Sequence, residues 1–260
     1  MTIARVGPGF EVWGTVAESY ALTFSNLGYL LRISWAWVAL MIPLSLGCYA
    51  SIFWFELHDS LFIDVLSTLL LQPFVASIAV AWHRRLLVNE VWSGRIYLRL
   101  DRLVASYIGL VLIINEGPSI AFNAMVRSFD IGRDGRLILV LAIGLPAVVL
   151  STKIGLALPA RALGNSDAVR QGWRGSRGNV WRLMAGFALC SLPMPVLDVM
   201  VWPDPTEASQ PLTYAGWQTL HIGIAFLFGM PIVSFLSLAY RRLIQDRNPA
   251  DLTALNMTIC

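Results

Sequence analysis

The residues best able to do chemistry in this sequence are arginines. Arg170, Arg174 and Arg177 stand at i, i+4 and i+7, with Arg182 just beyond, and Arg95, Arg99 and Arg102 repeat the spacing. On a helix that spacing puts three guanidinium groups on one face, and a guanidinium fork matches the oxygens of a phosphate. The chemistry this predicts is the holding of anionic phospholipid headgroups at a membrane surface, where each arginine contributes about 1 kcal/mol. The alternative is topogenic charge, which orients the neighbouring spans and has no ligand of its own.

Two further charges are candidates because of their surroundings. Glu116 falls near the middle of one apolar run and Lys153 near the end of the next. A carboxylate in hydrocarbon is costly, and it marks either a pathway or proton site, or a helix break lying shallow against protein. Lys153 is the natural counter-charge. At a rise of 1.5 Å per residue, however, it stands roughly 10 Å nearer the cytoplasmic face, where a lysine snorkels to headgroups.

No catalytic constellation accompanies these charges. His58, His83 and His221 are too dispersed for one metal site, and no phosphate-cradling or calcium loop occurs. Cys48, Cys190 and Cys260 have neither paired nor metal-binding spacing. The expectation is therefore a non-enzymatic protein with no catalytic residue, metal or cofactor.

The elements that must position these residues follow from composition. The chain has 260 residues, 57% of them apolar and 13% charged, with a mean hydropathy of +0.65. A soluble fold could not bury that much apolar surface, whereas a bilayer needs it to face lipid. The net charge of +3 comes from eighteen arginines and one lysine against sixteen acids. The arginines cluster in polar elbows, which points to anionic lipid and away from nucleic acid. Apolar runs long enough to span a bilayer cover about 33–55, 61–82, 103–126, 137–158, 181–202 and 220–240. The third is interrupted by Asn115, Glu116, Gly117 and Pro118, and a break of the helix is expected there.

Between the runs lie three stretches read as surface helices. From Phe10 to Arg32 the residues Trp13, Val16, Tyr20, Phe24, Leu27 and Leu31 fall three or four apart, with Glu11, Thr15, Glu18 and Ser19 opposite. Arg95 to Leu103 carries one arginine stripe and the elbow from Lys153 to Arg182 the other. Pro159 is expected to end the fourth span and Asn179 to open the turn into the fifth. Gly172, Gly175 and Gly178 each lower helix propensity by about 1 kcal/mol relative to alanine, so that elbow helix must be held by outside contacts. The predicted architecture is all-α: a polytopic membrane protein in one domain, with six transmembrane helices arranged as three hairpins, each preceded by an interfacial amphipathic helix.

The hairpins read as an internal repeat. Span two ends Ala81-Trp82-His83-Arg84-Arg85-Leu86 and span six ends Ala239-Tyr240-Arg241-Arg242-Leu243, and a proline recurs in every span. Counting positive charge places both termini in the cytoplasm, with fifteen arginines inside and three outside, Arg127, Arg133 and Arg136. No basic-then-apolar leader with a small-residue cleavage site opens the sequence, so the first span is expected to direct insertion.

Leu156-Ala-Leu-Pro-Ala-Arg-Ala162, followed by Gly178-Asn-Val-Trp-Arg182, resembles a pattern of uncharacterised bacterial inner-membrane proteins. These are similar to the six-helix membrane domain that also occurs fused to glycerophosphodiester phosphodiesterases. The resemblance implies a bacterial inner membrane and lipid-related physiology; it implies no phosphodiesterase activity, because no catalytic barrel fits in this chain. The expected partners are anionic membrane phospholipids, and the expected role is that of a lipid-associated or envelope factor. The alternative is a transporter or channel for ions or small molecules at the repeat interface, with Glu116 and Lys153 near its path.

Overall fold

The computed structural model describes residues 10–54, 61–94, 96–97, 99–128, 142, 144–196 and 211–246, and every regular element among them is helical. The first helix, α1 (Val12–Ser25), meets α2 (Leu27–Trp54) at Asn26. There the side-chain amide donates to the Leu22 carbonyl at 2.9 Å and the backbone leaves helical geometry. The surface helix therefore stops at Ser25, and residues 27–32 open the first long apolar helix, six residues earlier than the predicted border. The polarity of α1 is also the reverse of a soluble helix. Thr15, Ser19 and Thr23 are fully buried, while Trp13 is 72% and Phe24 44% exposed.

The hydroxyl face of α1 is buried because it has partners. It packs on α10 (Pro211–Tyr240), the longest helix described. Thr23 Oγ1 lies 2.8 Å from Ser234 Oγ, and Ser234 Oγ accepts the Trp82 indole N–H at 2.8 Å. Trp82 belongs to α3 (Leu61–Val88). Because the Thr23 hydroxyl donates to the Ser19 carbonyl, its oxygen is left to accept from Ser234, and the chain of donors is complete. Beside it, His83 is fully buried between Ser237 (Nδ1 to Oγ, 2.7 Å) and Tyr107 (Nε2 to Oη, 3.1 Å). Ser237 spends its hydrogen on the Val233 carbonyl. The network thus assigns the proton to Nδ1, which donates to Ser237, while Nε2 accepts from Tyr107.

After α3 the structure departs from the predicted second surface helix. Glu90–Ser93, Ile96–Tyr97 and Arg99–Leu100 are not helical, and the next helix, α4 (Arg102–Val111), begins only after Asp101. Asp101 caps it, accepting from the N–H groups of Leu103 at 3.1 Å and Val104 at 3.0 Å. An N-cap has extended backbone, so a helix cannot run through it. Partial burial pushes the Asp101 carboxyl up. The N–H of Val104, the Arg99 guanidinium and the N–H of Leu103 outweigh this and hold the carboxyl below its ordinary range. A depressed folded-state value means that the cap's contribution is in place above the ordinary carboxylate range and is lost as pH falls through the folded value. Asp101→Ala should therefore cost about 1 kcal/mol at neutral pH. Thermal unfolding should show the gap between variant and parent closing in acid; a gap that stays constant with pH would rule out the carboxylate as its source.

The interrupted third run is not broken in two. A π-helical turn, Leu112–Glu116, joins α4 to α5 (Gly117–Ser128), so the helix runs on with one widened turn. Pro118 lacks the N–H that an α-helix would direct at the Ile114 carbonyl. The Ser151 hydroxyl of α6 (Leu145–Gly155) donates to that carbonyl at 2.5 Å instead, so the proline is accommodated by a neighbouring helix. Glu116 sits in the π turn; its side chain lies outside the described residues, as do 129–141, 197–210 and the chain beyond 246.

Pro159 likewise does not end its helix. It lies within α7 (Ala157–Ala162), and the interruption comes just before, at Leu156, next to Gly155, whose carbonyl the proline leaves without an N–H partner. The real stop is Gly164, at φ +85°. Asn165 N–H reaches back to the Ala160 carbonyl and Gly164 N–H to that of Arg161, a Schellman closure.

Two described stretches are long and apolar enough to cross a membrane, Leu27–Cys48 and Thr219–Gln245, and shorter apolar helices cover Arg102–Ile114, Leu145–Gly155 and Val180–Val196. Helix α10 holds the bundle together through contacts with α1, α2, α3, α7 and α9 (Val180–Ser191). Its buried residues from Met230 to Tyr240, together with Leu243 of the π turn Arg241–Gln245 that follows, share clusters with Trp37 and Trp82 on one side and with Leu156, Leu183 and Phe10 on another.

Candidate functional site

The arginines divide into two groups. The first is occupied by the fold. Arg84 donates to the Ala162 carbonyl at the end of α7 and pairs with Glu90, and Arg241 donates to the Leu86 carbonyl near the end of α3. Arg161 reaches Ser106 and the Asn165 carbonyl, and Arg32 reaches the carbonyls of Ser93 and Gly94. Arg242 binds Thr15 at 2.5 Å and pairs with Glu18, and Arg85 lies over the Tyr29 ring and bonds Asn89. Several of these satisfy carbonyls that a helix end leaves open.

Arg99 belongs to the same group, paired with Asp101 at 2.5 Å and with Glu90 at 3.7 Å. It is not one member of a stripe: the segment is not helical, Arg102 opens α4, and Arg95 lies outside the described residues. Arg99 and Arg102 therefore do not stand on one helix.

The second group is free. Among the described residues Arg102, Arg170, Arg174, Arg177 and Arg182 are exposed and their guanidinium groups make no hydrogen bond or ion pair. Three of the five gather on α8 (Ala168–Gly175) and the turn after it. Although the helix ends at Gly175, Arg177 lines the same shallow groove as Asp167, Arg170, Trp173 and Arg174, a space of about 400 Å³. Three guanidiniums against one carboxylate leave this groove with a net charge of about +2.

No family model, curated protein or solved structure matches the chain. The site therefore has to be read from its own geometry.

Two of the three elbow glycines, Gly172 and Gly175, are what seat α8. A Cβ on Gly172 would stand 2.6 Å from the Ala157 nitrogen and 3.1 Å from the Ile154 carbonyl oxygen, so only hydrogen permits this closeness to the α6–α7 junction. Gly175 rests against the Ile244 side chain, and Gly178 takes φ +77°, turning the chain toward α9. On the other flank the Lys153 ammonium lies 3.8 Å from the centroid of the Trp173 ring, a contact of about 0.5–2 kcal/mol. Lys153 thus pins the groove's aromatic wall to α6. That role cannot be read in sequence, where the two residues are twenty apart. Inward, Tyr240 of α10 donates to the Gln171 amide oxygen at 3.3 Å. The result is a rigid, cationic and partly aromatic surface whose charges are not satisfied by the protein itself.

Proposed function

We propose that this chain is a six-span bacterial inner-membrane bundle with cytoplasmic ends, and that it acts without catalysis as a lipid-associated or envelope factor whose α8 groove holds anionic phospholipid headgroups. The observation that carries the reading is the division of the arginines. The fold uses seven as caps and ion-pair partners and leaves Arg170, Arg174 and Arg177 unpaired on one face beside Trp173. Arginines that served only to orient spans would need neither a shared face nor a glycine-seated platform.

The bilayer setting is supported by where the large apolar side chains point. Leu31, Trp35 and Leu40 of α2, Leu69 and Leu70 of α3, and Ile113 of the π turn are 38–73% exposed, while the hydroxyls of α1 are inside. These apolar residues belong to a set of twenty-three large apolar side chains exposed among the described residues, which a bilayer would cover. On this reading α2, α3, the 102–128 helix, the helices within 142–162, α9 and α10 supply the six spans. The likeness to the membrane domain fused to glycerophosphodiester phosphodiesterases fits the same picture. Lipid holding is preferred to transport because Lys153 is engaged with Trp173 and because the large internal space, described below, has mainly apolar walls.

The test is retention of phosphatidylglycerol against phosphatidylcholine by the purified full-length chain, followed by native mass spectrometry. Three arginines at about 1 kcal/mol each, offset by Asp167, favour phosphatidylglycerol by about 30-fold at low salt. Changing Arg170, Arg174 and Arg177 together to Gln should bring the ratio near unity, whereas Arg84→Gln should leave the preference intact even if it lowers stability. Equal retention of both lipids by the parent protein would refute the proposal.

A further inference from the structure

A cavity of about 650 Å³ lies among α3, α4, the π turn, α6, α7, α9 and α10, well within the range of ligand-binding pockets. Its walls include Ala76, Val111, Leu183, Ile232 and Leu236, the few hydroxyls that reach it are already engaged, and Gln72 at one end is its one amide. Ser151 donates to Ile114, Thr152 donates to the Val148 carbonyl, and the Tyr107 hydroxyl bonds His83. A hydrated ion or polar solute would find few groups to replace its water. An apolar molecule would find an almost continuous apolar wall.

The cavity is not sealed. Val75, Val148 and Phe187 line it and are 49%, 50% and 40% exposed. It therefore opens onto the outer surface of the helices, the surface that faces acyl chains on the reading above. Smaller apolar cavities take up apolar guests readily. The π turn is part of the wall: Val111, Ile114 and Pro118 line the space where the helix widens. The α6–α7 junction separates it from the arginine groove. Thr152, Gly155 and Leu156 face the cavity, while Lys153 and Ala157 support α8.

We propose that this cavity is a binding site for one acyl chain of a membrane phospholipid, entering from the surface where Val75, Val148 and Phe187 are exposed. The site rests on the reading of the chain as a bilayer protein, but not on the arginine groove being the headgroup site. Gly229 offers a plug, because it lines the cavity and a Cβ built on it meets nothing within 4 Å. Leucine there extends into open space and also favours the helix.

The experiment uses the full-length chain in vesicles containing phosphatidylglycerol or phosphatidylcholine with a diazirine midway along one acyl chain. Photolabelled peptides are mapped by mass spectrometry. Both probes should label the α6 and α10 walls of the cavity, and Gly229→Leu should reduce that labelling at least tenfold while labelling of α2 persists. Ala79→Leu, from the α3 wall, provides a second plug should the first variant fold poorly. Wall labelling that ignores both plugs, or labelling confined to the outer surface, overturns the site. The triple Arg→Gln variant separates the two readings. If plug-sensitive labelling survives while the preference for phosphatidylglycerol does not depend on these arginines, the headgroup proposal fails and the cavity stands. If the arginine-dependent preference holds but the plugs do nothing, the cavity fails.

Discussion

Replacing His83 with alanine lowers the stability of the folded chain by about 4 kcal/mol. The imidazole is completely buried, and its removal leaves a hole that the surrounding helices cannot fully close; for buried rings this term alone is about 3 kcal/mol or more. The hydroxyls of Ser237 and Tyr107 then each lose a partner, worth about 1 kcal/mol apiece in water-soluble folds and about 0.6 kcal/mol between helices in a bilayer. The void therefore dominates and the hydrogen bonds are secondary. Asparagine at the same position keeps a donor for Ser237 and fills part of the space, so His83→Asn should recover roughly a third of the loss. Tyr107→Phe, which deletes one hydroxyl without opening a hole, should cost only about 1 kcal/mol. Chemical unfolding of the purified proteins in a common detergent ranks the three, and a His83→Ala variant as stable as Tyr107→Phe would show that the assigned network is wrong.

Gly172→Ala is the second large effect, and its sign runs against helix propensity. Alanine favours α8 by about 1 kcal/mol. The added carbon, however, meets Ala157 backbone at 2.6 Å and Ile154 carbonyl at 3.1 Å, and backbone cannot rotate away as a side chain can. Overpacking of this kind costs about 1–3 kcal/mol and sometimes more. Because the clash is with backbone, the cost falls at the upper end of that range, and the expected net destabilisation is about 2 kcal/mol, with the elbow lifted from its seat. Gly175→Ala supplies the contrast, because there the neighbour is the end of the Ile244 side chain, which has other rotamers. Limited proteolysis should detect cleavage between Ser166 and Arg177 in Gly172→Ala and much less in Gly175→Ala. Equal resistance in the two variants would show that the close approach carries no weight.

Much of this arrangement was legible in the sequence. The helical content, the polar elbow between Lys153 and Arg182 and the common face of Arg170, Arg174 and Arg177 all follow from composition and from three-and-four spacing. The failures have definite physical causes. Periodicity sorted α1 into two faces correctly, but it carries no information about which face meets protein; the hydroxyls of Ser234 and Cys190's neighbourhood decided that. The spacing of Arg95, Arg99 and Arg102 matched the later stripe, yet Asp101 stands between the last two and a cap residue overrides periodicity. At Asn115–Pro118 the local signal for a break was real. The outcome was a π turn because Ser151, thirty-seven residues away, supplied the bond the proline could not. Free and occupied arginines look alike in a sequence, and only the positions of helix ends on neighbouring elements tell them apart.

The embrace of α1 by α10 and the π turn Arg241–Gln245 that continues it bears on how the protein is made. Thr23 meets Ser234, and Arg242 meets Thr15 and Glu18, across 211, 227 and 224 residues of chain. The ribosome delivers α1 long before its partner exists. During that wait the hydroxyls are not stranded, because Thr15, Ser19 and Thr23 each donate to a carbonyl three or four residues back on their own helix. Those same internal bonds leave lone pairs free on the Thr15 and Thr23 oxygens, so the late-arriving Ser234 and Arg242 can dock by donating to them without first breaking anything. The early helix is thus built to remain unpaired without penalty and to be claimed last.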